Sequence, residues 1–351
     1  MPEVRAVKVA EDRRLVAVEC AAPEPGPGQA LVEVAYCGIC GSDLHFRDVP
    51  ELFPAGTVPG HEFSGRILRI GDDVRGWSAG DRVCVLPFGQ CGECASCRAG
   101  NEQVCPHAVS DGVGLGTGRP GAYAGQVVVD ERMLFALPDS VDDRAGTLVE
   151  PLAVAIRAVD LAEVTTDEPV LVLGAGPIGL LTGLVLRHRG VERVAVCSRN
   201  PARASRAAAL GLSTISIETV HLMAGGAGAE DAAGEGAAGD SPACVFECAG
   251  TPAAAQLAVQ ALRPLGRLLL VGLALEPLDL AAPSIVIKEL AIRGVIAYQR
   301  AQFQAAIDML ASGAIPADEL ITEVVPLAEA EDAFQSLSTR GTDKVKILLA
   351  P

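Results

Sequence analysis

Hydrophobic and polar positions follow different periods in different parts of this chain. Between residues 153 and 296, short aliphatic runs recur at Val170–Leu173, Val194–Cys197, Cys244–Glu247 and Leu268–Val271, separated by longer stretches of mixed polarity. Short apolar runs bounded by glycine, proline or charge predict buried strands, and the stretches between them predict crossover helices. Strand and helix in alternation predict an α/β unit with a doubly wound parallel sheet. Residues 1–152 read instead as short strands mixed with turns. Near the end, Ala301–Ala311 predicts a helix and Lys344–Leu349 a strand. The Gly/Ala/acid-rich stretch 225–240 predicts a surface loop.

Composition narrows the classes that remain. With 351 residues, half of them hydrophobic and 21% charged, the chain suits about two domains of 100–200 residues each. Few aromatics (3%) with 38 Gly and 23 Pro fit aliphatic strands joined by tight loops. Asp and Glu outnumber Lys and Arg by 44 to 28, a net charge of −16, and no basic stripe stands out. Nucleic-acid backbones are bound by clustered Lys and Arg, so no nucleic-acid partner is expected. The amino-terminal stretch lacks the apolar core of an export signal, which predicts a cytoplasmic protein. The longest apolar run, Val170–Leu186, is broken by Gly174, Gly176, Pro177 and Gly179, so no membrane span is expected either. Eleven cysteines without an export signal point to metal binding rather than disulfides.

Four of those cysteines, Cys91, Cys94, Cys97 and Cys105, crowd into CGECASCRAGNEQVC. Two-residue gaps let a tight turn aim both sulfurs at one ion about 2.3 Å away, and four thiolates close the tetrahedron of a structural Zn²⁺. Four cysteines also hold iron–sulfur clusters, and a zinc ribbon uses the same set; the acidic surroundings disfavour the ribbon.

A cofactor motif follows the strand Val170–Leu173. GAGPIG spans Gly174 to Gly179, with Pro177 and Ile178 inside it, and opens onto the helical pattern LLTGLVLRHRG. Strand, glycine turn and helix together form the dinucleotide-binding context of a Rossmann unit. Gly174 permits the tight turn, Gly176 lets the backbone approach a pyrophosphate, and Gly179 allows close packing of helix on strand. The next strand ends in Ser198, Arg199 and Asn200, where an NAD site usually carries Asp or Glu. Ser198 and Arg199, assisted by Arg203, suit a 2′-phosphate, so NADP is favoured over NAD.

Upstream, CGICGSDLH (Cys37 to His45) and GHEFSG (Gly60 to Gly65) supply sulfur, nitrogen and oxygen donors of the mixed kind that suits catalytic zinc. ICGSDLH, PGHEFSG, the four-cysteine lobe, GDRV (Gly80–Val83) and VEPLAVA (Val149–Ala155) occur in one order that resembles the zinc-containing medium-chain dehydrogenases, among them alcohol, sorbitol and threonine dehydrogenases. The resemblance spans nearly the whole chain.

That resemblance implies two zincs per chain. Cys40, His61, Glu62 and Glu150 match the catalytic zinc ligands, with the two carboxylates binding directly or through water. Glu150, in place of a second cysteine, resembles the polyol-type branch, and Cys37 is left as a packed residue. Ser42 matches the hydroxyl that takes the substrate proton, and His45 the end of the relay to solvent. A GroES-like catalytic domain of residues 1–152 and 297–351, a Rossmann domain of 153–296, a cleft site between them and a homodimer or homotetramer joined through the Rossmann sheets are implied too, with Ile292–Ala297 as edge strand. The expected reaction moves a hydride between a small secondary alcohol (polyol, sugar or cyclitol) and the nicotinamide. Reduction of an activated C=C or C=N bond on the same scaffold, and a non-enzymatic zinc-binding protein, are the alternatives. Phe46 to Thr57 is the expected pocket wall.

Overall fold

A computed structural model of the chain describes residues 3–225, 241–339 and 341–351; apart from Gly225, the predicted loop 225–240 lies outside the described residues. The chain divides into two compact units, one built from residues up to Ala153 together with Tyr298–Pro351, the other from Val154–Ala297.

The second unit is built on a six-stranded sheet. Its order is Ser213–Ile215, Val194–Cys197, Val170–Leu173, Cys244–Glu247, Arg267–Leu270 and Ala291–Gly294, and every neighbouring pair is parallel. Strand order reverses between Val170–Leu173 and Cys244–Glu247, which opens a crevice beyond their carboxyl ends. Apolar strand faces create the core: Leu171, Leu173, Val245 and Leu268 pack with Leu257, Val259 and Val220. Helix starts are written locally. Pro177, Pro201 and Pro252 each begin a helix, where the missing N–H costs nothing, and Asn200 and Thr251 cap two of these with their side-chain oxygens.

Two predicted strands shift slightly. Arg267–Leu270 replaces Leu268–Val271, because Arg267 pairs with Cys244, while Val271 already turns its N–H to the Glu247 carbonyl. The edge strand is Ala291–Gly294 rather than Ile292–Ala297; Ala297 adopts φ +48°, which no strand tolerates.

The first unit is mainly β. A hairpin pairs Glu3–Val9 with Leu15–Ala21. A seven-stranded sheet runs Ile321–Pro326, Lys346–Ala350, Gln29–Gly38, Glu62–Ile70, Arg82–Val85 and Leu134–Ala136, with Gln126–Asp130 added beside Gln29–Gly38. Register matters here: Gly38 lies opposite both Glu62 and Leu348. The end of one strand, the start of another and the middle of a third, from distant parts of the sequence, therefore meet at one point. The predicted helix and strand of the tail are found at Arg300–Ala311 and Lys346–Ala350. Among the described residues, no helix is long and apolar enough to cross a membrane.

Candidate active site and metal centres

Cys40 follows the strand Gln29–Gly38 at the mouth of the short helix Gly41–Phe46, and His61 immediately precedes the strand Glu62–Ile70. The ligand atoms of Cys40, His61 and Glu62 all lie within 4.8 Å of one another. His61 and Glu62 are buried, and Cys40 is half-buried. His61 turns Nδ1 toward Asp43 Oδ1 at 3.4 Å, and neither buried atom has another partner. That leaves Nε2 for the side of Cys40. Burial disfavours a protonated ring, yet the Asp43 carboxylate and the Cys40 sulfur hold the His61 pKa well above its usual value. A pocket that favours positive charge and gathers sulfur, nitrogen and oxygen donors fits a zinc ion.

Two further groups complete the surroundings. Glu150, in the first turn of the helix Val149–Ala162, is buried, and burial pushes its carboxyl up to about 7, with His61 and Glu62 among its charged neighbours. The Glu62 carboxylate pairs with Lys346, a fully buried lysine that also donates to the Ile39 carbonyl at 3.1 Å. Burial alone would neutralise this ammonium; Glu62 and Cys40 keep it charged and raise its pKa.

Ser42 donates to Cys40 Sγ at 3.2 Å, and His45 is exposed three residues further along the same helix. Cys37 is fully buried and packs into the sheet core. The segment after the helix is held both by its own turns, with Val49 N donating to the Phe46 carbonyl and Phe53 N to the Val49 carbonyl, and by its surroundings. Phe46 and Phe53 meet edge-to-face at 5.9 Å, Arg13 donates to the Phe53 carbonyl at 2.7 Å, and Arg47 pairs with Glu331 at 3.5 Å.

The second cluster is local. The sulfurs of Cys91, Cys94, Cys97 and Cys105 also lie within 4.8 Å of one another. Backbone N–H groups point at them: Cys94 N to Cys91 Sγ at 3.3 Å, Cys97 N to Cys94 Sγ at 3.4 Å and His107 N to Cys105 Sγ at 3.4 Å. Such donors stabilise thiolate, and N–H groups of Glu93 and Cys94 lower the Cys91 thiol to about 6. Desolvation and the neighbouring sulfurs push Cys97 up to about 12. Four sulfurs at this separation ionise together only with a cation between them, which fits a closed tetrahedral zinc.

In the Val154–Ala297 unit, a cavity of about 350 Å³ opens at the carboxyl ends of the strands where their order reverses. Gly174, Ala175 and Gly176 line it, with Ser198, Arg199, Asn200 and Arg203 from the end of the next strand and His221 from the helix Ile217–Met223. Each glycine has a separate physical reason. Gly174 sits at φ +108°, and a Cβ there would meet Ala249 N at 2.9 Å. A Cβ on Gly179 would overlap the Gly174 carbonyl oxygen, whereas one on Gly176 would meet nothing within 4 Å. Gly176 thus keeps clear the space at the start of the helix Pro177–His188, where Pro177 and Ile178 form the first turn and free N–H groups attract phosphate. The opposite wall, Cys248 to Thr251, is pinned by Glu247, whose carboxylate accepts Ala249 N at 2.8 Å and Gly250 N at 2.9 Å. Among the described residues, no carboxylate lines the cavity. The cradle fits a dinucleotide.

Comparison with known proteins agrees with this construction. Residues 26–139 match the alcohol dehydrogenase GroES-like domain, and residues 143–350 match the glucose dehydrogenase C-terminus. A sorbitol dehydrogenase of Halalkalibacterium halodurans is 31% identical over 94% of both chains. The chain belongs to the zinc-type medium-chain dehydrogenases. Among solved structures, a zinc-binding dehydrogenase of Sinorhizobium meliloti 1021 bound to NADP superposes with a TM-score of 0.87, 29% identity and full coverage of both chains. An alcohol dehydrogenase of E. coli CFT073 complexed with NADH gives a TM-score of 0.89 at 29% identity, covering 99% of each chain.

Several groups around this dehydrogenase's sites carried no role in the sequence reading. Asp43 lies inside ICGSDLH, where its residue type alone does not reveal the His61 partner. Lys346 had a readable signal, a lone charge within the apolar run VKILLA. Tyr298 hydroxyl is buried against Glu150 without a hydrogen bond of ordinary geometry, and neither it nor His221 has any motif to mark it.

Proposed function

We propose that this dehydrogenase oxidises a secondary alcohol of polyol, sugar or cyclitol type to a ketone, or runs the reverse reduction, with a nicotinamide as hydride partner. The observation that carries the reading is the set of unlike donors, half-buried Cys40 with buried His61 and Glu62, and Glu150 beside it. Zinc held by these residues supplies Lewis acidity toward the substrate oxygen. Each remaining task falls to the chain. Asp43 orients the His61 ring, and Lys346 balances the Glu62 charge. Ser42 would accept the alcohol proton while passing its own proton on, through the cofactor ribose, to the exposed His45 on the same helix and so to water. Cys91, Cys94, Cys97 and Cys105 hold a second zinc whose closed shell leaves it structural.

In the nucleotide cradle, Gly174, Gly176 and Gly179 with Pro177 and Ile178 receive the pyrophosphate. Ser198, Arg199 and Arg203 favour NADP over NAD, supported by their place on the cavity wall where, among the described residues, no carboxylate stands. The polyol assignment draws on the glutamate at position 150 and on the similarity to a sorbitol dehydrogenase. A homodimer or homotetramer joined at the edge strand Ala291–Gly294 suits the bare apolar side chains nearby, Val286 at 74% and Ile287 at 81% exposure. A four-cysteine cluster and a further cysteine at the mixed centre, among eleven unpaired cysteines, suit the reducing cytoplasm.

The test is a panel of sugar alcohols, cyclitols and simple secondary alcohols, each offered with NADP⁺ and with NAD⁺. Reduction of NADP⁺ by a polyol, with a ketone two hydrogens lighter as product, is the expected result. Consumption of NADPH by an enone or imine, with every alcohol inert, would overturn the reading.

A further inference from the structure

We propose that Tyr123 is a positioning residue for the catalytic metal centre, acting through Asp43 on His61. The proposal rests on the reading of Cys40, His61 and Glu62 as a zinc site.

Tyr123 is fully buried, and its hydroxyl donates to Asp43 Oδ2 at 2.7 Å. The same oxygen accepts the Cys40 backbone N–H at 3.2 Å. Two donors on one oxygen fix the rotation of a carboxylate that has no solvent exposure, and so aim Oδ1 at His61 Nδ1. A histidine with its Nδ1 side held in this way offers Nε2 to a metal in one orientation. The phenol cannot easily give way. Its ring meets Phe334 edge-on at 6.1 Å, its N–H bonds the Pro59 carbonyl at 2.9 Å, and its carbonyl accepts Val7 N at 2.7 Å.

Gly60 supplies an independent sign of the same design. It directly precedes His61, holds φ +103°, and any Cβ there would overlap the Tyr123 ring. The backbone leading into the ligand is thus shaped around this ring. A residue that only filled space would not need its hydroxyl; the carboxylate that orients the ligand takes its shortest hydrogen bond from it.

Tyr123→Phe keeps the ring and removes the hydroxyl. Zinc affinity at the buried centre is read by chelator competition, alongside total zinc per chain, the visible spectrum of the cobalt-substituted protein and near-ultraviolet circular dichroism for the fold. The variant should bind zinc at the buried centre about 10-fold or more weakly, as is typical when a ligand's outer partner is lost. The four-cysteine lobe should keep its ion, and the cobalt spectrum should shift. Asp43→Asn should weaken binding further, and Tyr123→Phe added to it should change affinity by less than about 2-fold, because both act on one chain of contacts. Wild-type affinity and an unshifted spectrum in Tyr123→Phe would overturn the proposal, as would independent, multiplying losses in the double variant. If the wild-type protein takes up zinc only in the lobe, the zinc reading itself fails, and the proposal falls with it.

Discussion

The two donor clusters gather their ligands in opposite ways. Cys91, Cys94, Cys97 and Cys105 come from one loop, and the N–H groups that support them are their own neighbours in the chain. Cys40, the adjacent His61 and Glu62, and Glu150 come from three separate places in the chain, joined by a sheet register that sets Gly38 against both Glu62 and Leu348. Support at this buried centre is equally scattered: Asp43 behind His61, Lys346 against Glu62 and Tyr123 behind Asp43. A local cluster can assemble before the domain folds, whereas the scattered one exists only in the finished sheet. The difference suits the tasks proposed for them, since a structural ion needs only closure while a reacting one needs fixed geometry.

The sharpest way to break the comparison is to remove one ligand from each cluster. Cys40→Ser should release the buried zinc and lower turnover on the order of 10³-fold or more, because Lewis acidity contributes several kcal/mol. The fold should persist, as circular dichroism would report. Cys97→Ser should release the lobe ion and lower the melting temperature while the buried centre keeps its zinc. Equal effects of the two variants on turnover and on melting would erase the distinction.

Lys346→Met should cost about 3–5 kcal/mol of folding stability in urea unfolding, since it strands a buried carboxylate. Adding Glu62→Gln should recover part of the loss, and no recovery would mean that the pair does not act as a unit. The smallest expected effect lies in the other unit. Arg199→Asp should weaken NADPH binding by about 10- to 100-fold, the range for losing one charge-assisted hydrogen bond, and improve NADH binding. Titration with both nucleotides checks it, and an unchanged ratio would remove Arg199 from the 2′-phosphate wall.

What the sequence made legible follows the same division. Val170–Leu173, Gly174–Gly179 and the four-cysteine loop each carry their signal within a dozen or so residues, and the doubly wound sheet follows from short aliphatic runs read in order. The edge strand begins one residue earlier and ends three residues earlier than its apolar pattern suggests, and the positive φ of Ala297 has no mark in its residue type. Tyr123, Tyr298 and Lys346 escaped for a different reason. Each acts across the fold on a residue distant in sequence, so only tertiary register reveals the partner. Lys346 alone broke an apolar pattern visibly enough to be found.

One measurement tests the central claim, that hydride transfer depends on the scattered cluster and not on the local one. Zinc per chain is counted in wild-type, Cys40→Ser and Cys97→Ser protein, each assayed in the same preparation with NADP⁺ and the best alcohol of the panel. Two zincs in the wild type, one in each variant, and turnover lost only in Cys40→Ser is the predicted result. Cys40→Ser that has lost one zinc yet turns over at the wild-type rate would contradict it.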